Sequence, residues 1–467
     1  MTAPNRPVTP DAWRAIALGV LLGGLAGGMR AASGRRASTP LALAAAVVAG
    51  SVIPIARASR RPPVPQAAPP LDPAATPVTF SVVVAGRDEA NVLPALVRDV
   101  AGQDWRDEDG QPRFELVVID DRSVDGTGVA VLDAAAGAGI GAVTRVIRRE
   151  GENLPDGKGA ALTAAQPDAC RGDYIVVLDA DARIGSGFLR VLAGYAAAGV
   201  DAMTPRRRIL DAESSVLAQL QADEQTLDGE LQRGRWAMDG CSEFRGNGIT
   251  IRRSLLAALG GWHAEALTED IDLSSRLAAE TGIVVAWILD AEVWEEPVRS
   301  WSSLLRQRER WSEGAARRAF EHGPAIMASR RLSPRQKADF ALYVAQLLAP
   351  PLIIGAALGA ARRRPGSAAM LLGTYMVISG GITWDALRWE RDASGLPPAP
   401  GPRLGRAVGA GVFTFVWLAA VPRALWRLAT RTGHVRYDKM AHHGSSAGTA
   451  LGASDDHAAD EPERTTS

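Results

Sequence analysis

Five apolar runs, each close to the length of a membrane-crossing helix, constrain the fold of this chain more than any other feature. A helix needs about 20 mostly apolar residues to cross the hydrocarbon core of a bilayer. Two runs, 13–29 and 40–56, lie near the N-terminus and follow each other closely enough to form a helical hairpin. The other three, 341–361, 366–387 and 404–421, lie near the C-terminus. We therefore expect a multi-pass membrane protein with about five spans.

The polar segments between these runs divide the chain into six predicted parts. In order, they are an N-terminal transmembrane hairpin (1–59), a Pro-rich linker (60–77), a soluble block (78–300), an amphipathic interfacial segment (301–340), C-terminal transmembrane helices (341–430) and a polar tail (431–467). The composition of the linker favours an extended, semi-rigid chain, and that of the tail predicts disorder. The interfacial segment is rich in Arg and Trp and directly precedes an apolar run, which is typical of a helix at the membrane surface.

The soluble block alternates short β-branched runs with Ala-rich stretches. The candidate strands are 78–86, 114–121, 144–149 and 173–181, and the candidate helices are 90–102, 125–137 and 158–166. Continuous apolar strands of this kind are typical of a parallel sheet that is covered on both faces. The repeated βα pattern therefore predicts a doubly wound α/β fold, in which ligands bind beyond the carboxyl ends of the strands.

Acidic residues follow two of these strands at the point where a ligand is expected. Asp120 and Asp121 end the run "FELVVIDD", and Asp179 and Asp181 occupy alternate positions in "VVLDADA". Carboxylates at neighbouring strand ends can share a hard divalent cation, which takes phosphate oxygens as further ligands. A turn or a helix cap would explain a lone Asp-x-Asp, but two such sites at strand ends favour Mg²⁺ or Mn²⁺ binding.

The charge balance argues against a nucleic acid partner. The chain has 52 basic and 52 acidic residues, so its net charge does not attract a polyanion. The basic segment 298–337 could suggest one, but a predicted span begins immediately after it. Cys170 and Cys241 lack the spacing of metal ligands, and we expect both to be small buried residues in a reduced compartment.

Seven short motifs occur in the order in which they occur in a known enzyme family. They are "VVVAGRDEAN", "IDDRSVDGTG", "DGKGAAL", "LDADA", "GNGITIRRSLL", "LTEDIDLSSRL" and "QRERW", between about residues 80 and 312. Through them the chain resembles the membrane-bound glycosyltransferases of family 2. The resemblance implies a Rossmann-like GT-A catalytic domain at 78–300, a UDP- or GDP-sugar donor, a divalent cation, and inversion at the anomeric carbon of a transferred hexose.

The same resemblance implies a role for each matching residue. Asp270 would be the catalytic base, and Asp181 with Asp179 would hold the metal. The residues that contact the nucleotide sugar would be Arg87, Asp88, Glu89, Asp120, Asp121, Lys158, Asp179 and Arg310. The residues that bind the acceptor would be Gly246, Asn247, Glu269, Gln307 and Trp311.

Three acids, Glu269, Asp270 and Asp272, crowd the start of one predicted helix. Thr268 could cap this helix, and acids near a helix N-terminus interact favourably with the helix dipole. Capping explains one or two of them. An inverting transfer also needs a carboxylate that takes the proton of the acceptor hydroxyl, and crowding by like charges could raise the pKa of Asp270 for that role.

The nature of the acceptor depends on the subgroup that the chain resembles. The predicted hairpin, the single catalytic block and the C-terminal spans are similar to bacterial carotenoid- and hopanoid-associated glycosyltransferases and to ceramide glucosyltransferases. We therefore expect transfer of one sugar to a membrane lipid at the inner membrane, with the catalytic domain facing the cytosol. A processive polysaccharide synthase of the cellulose synthase type is the alternative. A non-catalytic membrane scaffold or transport component is a second.

Overall fold

The structure, a computed structural model, describes residues 10–33, 78–151, 154–390 and 398–430. The predicted second apolar run (40–56), linker and polar tail lie outside these ranges, so the N-terminal hairpin and the six-part division stay predictions.

The predicted soluble block, residues 78–300, is built on one eight-stranded sheet. Its strands are β1 (Phe80–Gly86), β2 (Phe114–Asp121), β3 (Thr144–Arg149), β4 (Tyr174–Asp179), β5 (Arg183–Ile184), β6 (Ala202–Ile209), β7 (Ile249–Arg252) and β8 (Ala286–Glu295). The spatial order is β3-β2-β1-β4-β7-β6-β8-β5. The four predicted strands are β1 to β4, and they pair in parallel as expected. The other half of the sheet is mixed, because β7 runs antiparallel to both β4 and β6.

Helices cover both faces of this sheet. In chain order they are α2 (Leu93–Ala101), α3 (Thr127–Gly137), α4 (Lys158–Leu162), α5 (Phe188–Ala197), α6 (Val216–Ala237), α7 (Arg253–Ala258) and α8 (Glu269–Thr281), after α1 (Pro10–Ser33), a candidate membrane span. Alternate residues of β1 contribute to two separate cores: Val82 and Val84 pack on one side, and Val83 packs on the other. This explains the unbroken apolar sequence of the strand.

The C-terminal part of the chain is helical. Its helices are α9 (Trp301–Ala328), α10 (Pro334–Leu347), α11 (Pro350–Ala361), α12 (Pro365–Ala386), α13 (Pro400–Phe413) and α14 (Phe415–Thr430). Three stretches of the described chain are long and apolar enough to cross a membrane: Ala12–Ser33, Pro365–Trp389 and Pro400–Thr430.

The predicted apolar run 341–361 is not one continuous helix. It is divided between α10 and α11, which meet at an angle of 51°. Pro350 and Pro351 begin α11, and proline lacks the backbone N–H that would continue the preceding helix. If this bent pair counts as one span, the described residues contain up to four.

Helix α1 packs closely against α11 through glycine. Gly28 of α1 faces Leu352, and an added Cβ at Gly28 would lie 2.7 Å from the backbone nitrogen of Ala356. Gly355 and Gly359 of α11 face the backbone of α1 in the same way. Small residues four positions apart let two membrane helices approach closely enough for extensive van der Waals contact.

Helix α6 joins the sheet to the C-terminal helices. Asp223, in the first half of α6, accepts a hydrogen bond of 2.7 Å from Nε of Arg406 on α13. About two turns further on, Glu230 accepts one of 2.7 Å from Arg388, which follows α12. These buried pairs fix the sheet relative to the helices beneath it.

Candidate active site

A cavity of about 700 Å³ begins at the carboxyl ends of β1, β2 and β4 and extends between the C-terminal helices. Strand pairing brings the acids together at this edge, because Gly86 at the end of β1 is level with Asp120 of β2, and Ala85 with Asp179 of β4. The cavity is thus where the doubly wound pattern predicts a ligand.

Thirteen of the fifteen predicted site residues line this cavity. They are Arg87, Asp88, Glu89, Asp121, Lys158, Asp179, Asp181, Gly246, Glu269, Asp270, Gln307, Arg310 and Trp311. The other two, Asp120 and Asn247, are fully buried behind its wall. Asp120 accepts hydrogen bonds from the Ser123 N–H at 2.9 Å and from Arg148 at 3.0 Å, so it holds the turn after β2. Asn247 accepts the Asp179 N–H at 3.1 Å and so supports the end of β4.

One end of the cavity combines carboxylates with guanidinium groups. Asp121 is held between Arg149 at 2.8 Å and Arg122 at 3.0 Å. Asp88 adopts a left-handed backbone conformation (φ 52°) and accepts the Val124 N–H at 2.8 Å. The loops after β1 and β2 are therefore tied together, which gives this end of the cavity a fixed shape.

Asp179 and Asp181 provide a donor set that fits a divalent cation. Both carboxylates line the cavity, and Asp181 keeps one oxygen bonded to the Glu296 N–H at 3.1 Å. No group of three or more His, Cys, Asp or Glu side chains that could hold a metal occurs among the described residues. Two carboxylates suit Mg²⁺ or Mn²⁺ when phosphate oxygens and water complete the coordination, as at many nucleotide sites.

Lys158 lies at the centre of the acidic cluster. Its ammonium group donates to the Gly246 carbonyl at 2.6 Å, forms an ion pair with Asp179, and lies 3.3 Å from Glu269. Burial opposes the charge, but Asp179 and Glu269 outweigh it and raise the pKa of Lys158 above its ordinary value. The site therefore carries a permanent cation beside the predicted metal ligands.

Asp270 has the environment that a general base requires. Its Oδ1 accepts the Ile271 N–H at 2.8 Å. Burial raises the pKa of Asp270, while that hydrogen bond and the charges of Arg245 and Lys158 act in the opposite direction. Burial also raises the pKa of the adjacent Glu269, with a smaller contribution from Asp270 itself. A carboxylate whose pKa lies closer to neutral pH accepts a proton more effectively.

Asp272, the third acid of the cluster, serves the structure. It contacts His263 at 3.3 Å, His322 at 3.0 Å and Arg276 at 2.9 Å, and it does not line the cavity. Although burial opposes it, hydrogen bonds from the two histidines and the charge of Arg276 hold the pKa of Asp272 far below its usual range. His322 belongs to α9, so this contact joins α8 to α9.

Helix α9 brings the "QRERW" segment to the cavity. Gln307, Arg310 and Trp311 all line it. The guanidinium carbon of Arg207 lies 5.6 Å from the centre of the Trp311 ring, which fits a cation–π contact. Arg207 also donates to both oxygens of Glu295, at 2.7 and 2.9 Å, and is therefore held in place on the opposite wall.

Three arginines of the cavity, Arg207, Arg245 and Arg318, were not among the site residues predicted from the sequence. Arg207 stands in the run "RRR" of β6, and Arg245 in "FRGNG" precedes the predicted Gly246. Arg245 makes a two-pronged contact with Asp228, at 2.7 and 2.8 Å, and donates to the Tyr343 hydroxyl at 3.0 Å. A basic triplet inside a strand that ends near the site was the available signal for Arg207.

The far end of the cavity is apolar. Its lining there consists mainly of Leu347, Pro350, Ile353, Ile378, Ile382, Trp417 and Val421, from α10, α11, α12 and α14. The polar groups at this end include Ser379, whose hydroxyl donates to that of Thr414 at 3.1 Å. One continuous space therefore joins a strongly charged site to the region between the candidate membrane helices.

Comparison with known families identifies the class of protein. Residues 77–314 match the model described as "Glycosyltransferase like family 2". This region is just over half of the 467-residue chain, and it contains the sheet and every charged residue of the cavity except Arg318. The chain belongs to this family and is a glycosyltransferase, as the motifs predict.

Individual relatives extend the likeness into the helices. The chain is 29% identical over 391 residues to the "Beta-monoglucosyldiacylglycerol synthase" of Synechocystis sp.. The aligned region covers 81% of this chain and 78% of that protein. It is 28% identical over 369 residues to the protein of the same name from Trichormus variabilis, covering 78% and 76%.

A solved structure confirms the predicted GT-A fold. The mannosyltransferase PcManGT from Pyrobaculum calidifontis, in complex with GDP-Man and Mn²⁺, is similar with a TM-score of 0.51 and 18% identity. The match covers 86% of this chain and 98% of that one.

Proposed function

We propose that this enzyme transfers a hexose from a UDP- or GDP-sugar to a hydroxyl group of a membrane lipid, with inversion and with the help of a divalent cation. The observation that carries the proposal is the continuity of the cavity, which joins the carboxylates at the strand ends to an apolar space between helices. Relatives named monoglucosyldiacylglycerol synthases support glucose as the sugar and diacylglycerol as the first acceptor to test.

The charged end of the cavity suits the donor. Arg87, Asp88 and Asp121 line the part next to the β1 and β2 loops, where a nucleoside would lie. Lys158 and Arg310 also line the cavity, and their charges can neutralise phosphate oxygens. Asp179 and Asp181 would hold a Mg²⁺ or Mn²⁺ ion, which offsets the negative charge that develops on the departing diphosphate.

Asp270 would act as the base. It lies beside Gly246, where an added Cβ would be 3.6 Å from Oδ2, and this oxygen faces the space that an acceptor hydroxyl can enter. As the hydroxyl oxygen attacks the anomeric carbon, its proton passes to the Asp270 carboxylate and the bond to the diphosphate breaks on the opposite face. Trp311 would form the wall against which the acceptor is held, with Gln307 and Glu269 beside it.

The apolar lining favours a lipid over a growing polysaccharide. A polysaccharide that passes between membrane helices needs polar partners along its path, because sugar hydroxyls are costly to bury without hydrogen bonds. The isoleucines and prolines at this end provide few such partners, whereas they suit hydrocarbon chains. The catalytic block would face the cytosol, where nucleotide sugars are made.

The test is an assay of the purified full chain with labelled UDP-glucose or GDP-mannose, diacylglycerol and Mg²⁺ or Mn²⁺. We expect one glycolipid product, with the anomeric configuration inverted relative to the donor. Asp270→Asn should lower turnover by about 10²–10⁴-fold, because the base is lost, while the Kd for the donor stays within about twofold. A ladder of long polymer would favour the polysaccharide synthase. Unchanged turnover in the variant would reject Asp270 as the base.

A further inference from the structure

We propose that a second cavity, on the outside of the molecule, is a binding site for an anionic phospholipid that is distinct from the acceptor. This cavity has a volume of about 580 Å³ and lies where α1, α9 and α14 meet. None of its lining residues lines the catalytic cavity. The inference is independent of the acceptor's identity.

The charge of this second cavity suits a phosphodiester. Arg306, Arg423 and Arg427 line it, and Glu309 is its one acid. Glu309 is shared between two of the arginines, at 3.1 Å from Arg423 and 2.9 Å from Arg427. The cavity therefore carries a net charge of about +2, and the Arg423 side chain remains 60% exposed.

Arg427 is the third guanidinium group at the second cavity, and its side chain is three-quarters buried. Guanidinium groups suit phosphate in particular, because their N–H groups match its oxygens in pairs.

The apolar surface around this cavity indicates a lipid as the occupant. Leu21 of α1 lines the cavity, and Leu18 and Leu22 on the same helix are exposed. Trp426 lines it too and is 55% exposed. Because α1 is a candidate membrane span, its exposed leucines face hydrocarbon, and an acyl chain can follow them from a headgroup on the arginines. Basic pockets between membrane helices are known to bind anionic headgroups in this way.

A lipid in this position would link two of the helices that line the catalytic cavity. Arg306 belongs to α9, which presents Arg310 and Trp311 to that cavity, and Arg423 belongs to α14, which presents Trp417 and Val421. A phosphate bound to both arginines would hold α9 against α14. We therefore expect anionic phospholipid to stabilise the protein as well as to bind it.

The test measures lipid binding to the full chain in a mild detergent. Native mass spectrometry compares adducts of phosphatidylglycerol with those of phosphatidylcholine over a range of lipid concentrations. We expect one tight phosphatidylglycerol site in the wild type. Each basic residue near an anionic lipid contributes about 1 kcal/mol, so Arg306→Gln and Arg423→Gln should each weaken binding about fivefold. Glu309→Gln should strengthen it by a similar factor, because the competing carboxylate is removed.

Arg330→Gln is the matched control, because Arg330 is exposed just beyond the end of α9 and outside the second cavity. It should leave phosphatidylglycerol binding unchanged. Equal binding of phosphatidylcholine, or an equal loss with Arg330→Gln, would overturn the proposal. So would full displacement of the lipid by millimolar inorganic phosphate, which would mean that the site recognises phosphate alone. Melting temperatures with and without phosphatidylglycerol show whether each variant is folded.

Discussion

The three acids at the start of α8 show how neighbouring residues of similar type acquire different roles. Glu269 faces Lys158 at 3.3 Å, Asp270 lines the catalytic cavity, and Asp272 is bound to His322 at 3.0 Å. The helix places successive side chains about 100° apart, so each meets a different part of the molecule. The sequence predicts that acids begin this helix, but it does not show that Lys158 meets Glu269 or that His322 meets Asp272, because both partners come from distant segments.

The pH dependence of activity should report on Asp270. Burial raises its pKa, so the base stays protonated, and inactive, at pH values where an ordinary aspartate, with a pKa of about 3.9, is ionised. The acidic limb of the profile of kcat/KM should therefore lie above that value. Lys158→Met removes a charge that lowers the pKa of Asp270, so it should move the limb to higher pH and lower kcat by about 10²-fold.

Lys158→Arg serves as the control for this experiment. It retains the positive charge, so the limb should stay near its wild-type position even if kcat falls. A limb that moves to lower pH in Lys158→Met would contradict the assignment of this limb to Asp270.

Gly246 and Gly248 should respond to alanine in opposite ways. A methyl group at Gly246 meets no backbone and would stand 3.6 Å from Asp270 Oδ2, in the space that an acceptor must enter. Gly246→Ala should keep the wild-type melting temperature but lower kcat/KM by about 10²-fold. Gly248 has a φ of 85°, and its added Cβ would clash with Pro205. Gly248→Ala should therefore cost more than about 1 kcal/mol of stability. A normal rate for Gly246→Ala would contradict the proposed position of the acceptor.

Among the secondary-structure elements, most of the strands that were predicted from the sequence are those that helices bury on both faces. Strands β1, β2 and β4 are buried on both faces, so their sequences are largely apolar, whereas the edge strand β3 is only partly buried and carries three arginines. Strand β6 was missed, because its second half carries Arg206, Arg207 and Arg208, which pair with acids of neighbouring segments. A strand stabilised by ion pairs over long sequence distances has no local apolar pattern. The bend between α10 and α11 lies at Pro350 and Pro351, which stand in the middle of the apolar run.

The Asp272 carboxylate should stabilise the contact between α8 and α9. Removing one partner of a buried ionic network typically costs about 3 kcal/mol, so Asp272→Asn should lower the melting temperature at pH 7. The pKa of Asp272 is held far below its ordinary value, so its contribution is present above about pH 4 and is lost as the pH falls further. The difference in melting temperature between wild type and variant should therefore narrow below about pH 4.

Glu280→Gln is the control on the same helix, because Glu280 is exposed near its end. It should not change the melting temperature. If Asp272→Asn and Glu280→Gln changed the melting temperature equally, the contact between α8 and α9 would contribute little to stability.

For the whole molecule, the catalytic cavity depends on the meeting of the sheet with the helices of the C-terminal part of the chain. The sequence identified the charged half, because its motifs stand at strand ends in a recognisable order. It did not predict the apolar half, because Ile353, Ile378 and Trp417 come from three separate helices whose packing leaves no local pattern. Asp120 and Asn247 also show that a motif does not say which of its residues faces the ligand.

The apolar half of this cavity should control the choice of lipid. Ile378→Trp would fill part of it, and overpacking by this amount costs roughly 1–3 kcal/mol. We expect the KM for diacylglycerol to rise about tenfold, with a shift in preference to shorter acyl chains. Slow hydrolysis of the donor in the absence of lipid should stay unchanged, because the charged half is untouched.

Met370→Trp is the matched control, because Met370 lies on the same helix with 66% of its surface exposed. It should behave like the wild type. An unchanged KM and chain-length preference in Ile378→Trp would show that the acceptor does not enter between the helices.

The continuity of the catalytic cavity from Asp270 to the candidate membrane helices also determines which of the two substrates diffuses to the other. Moving an acyl chain from oil into water costs about 0.8 kcal/mol per methylene, or about 25 kcal/mol for two chains of about sixteen carbons. This transfer free energy exceeds the roughly 8–23 kcal/mol by which most enzymes lower the activation free energy of their reaction. A lipid acceptor whose acyl chains stay in the apolar half of the cavity avoids this cost. The water-soluble sugar donor is therefore the substrate that diffuses to the active site.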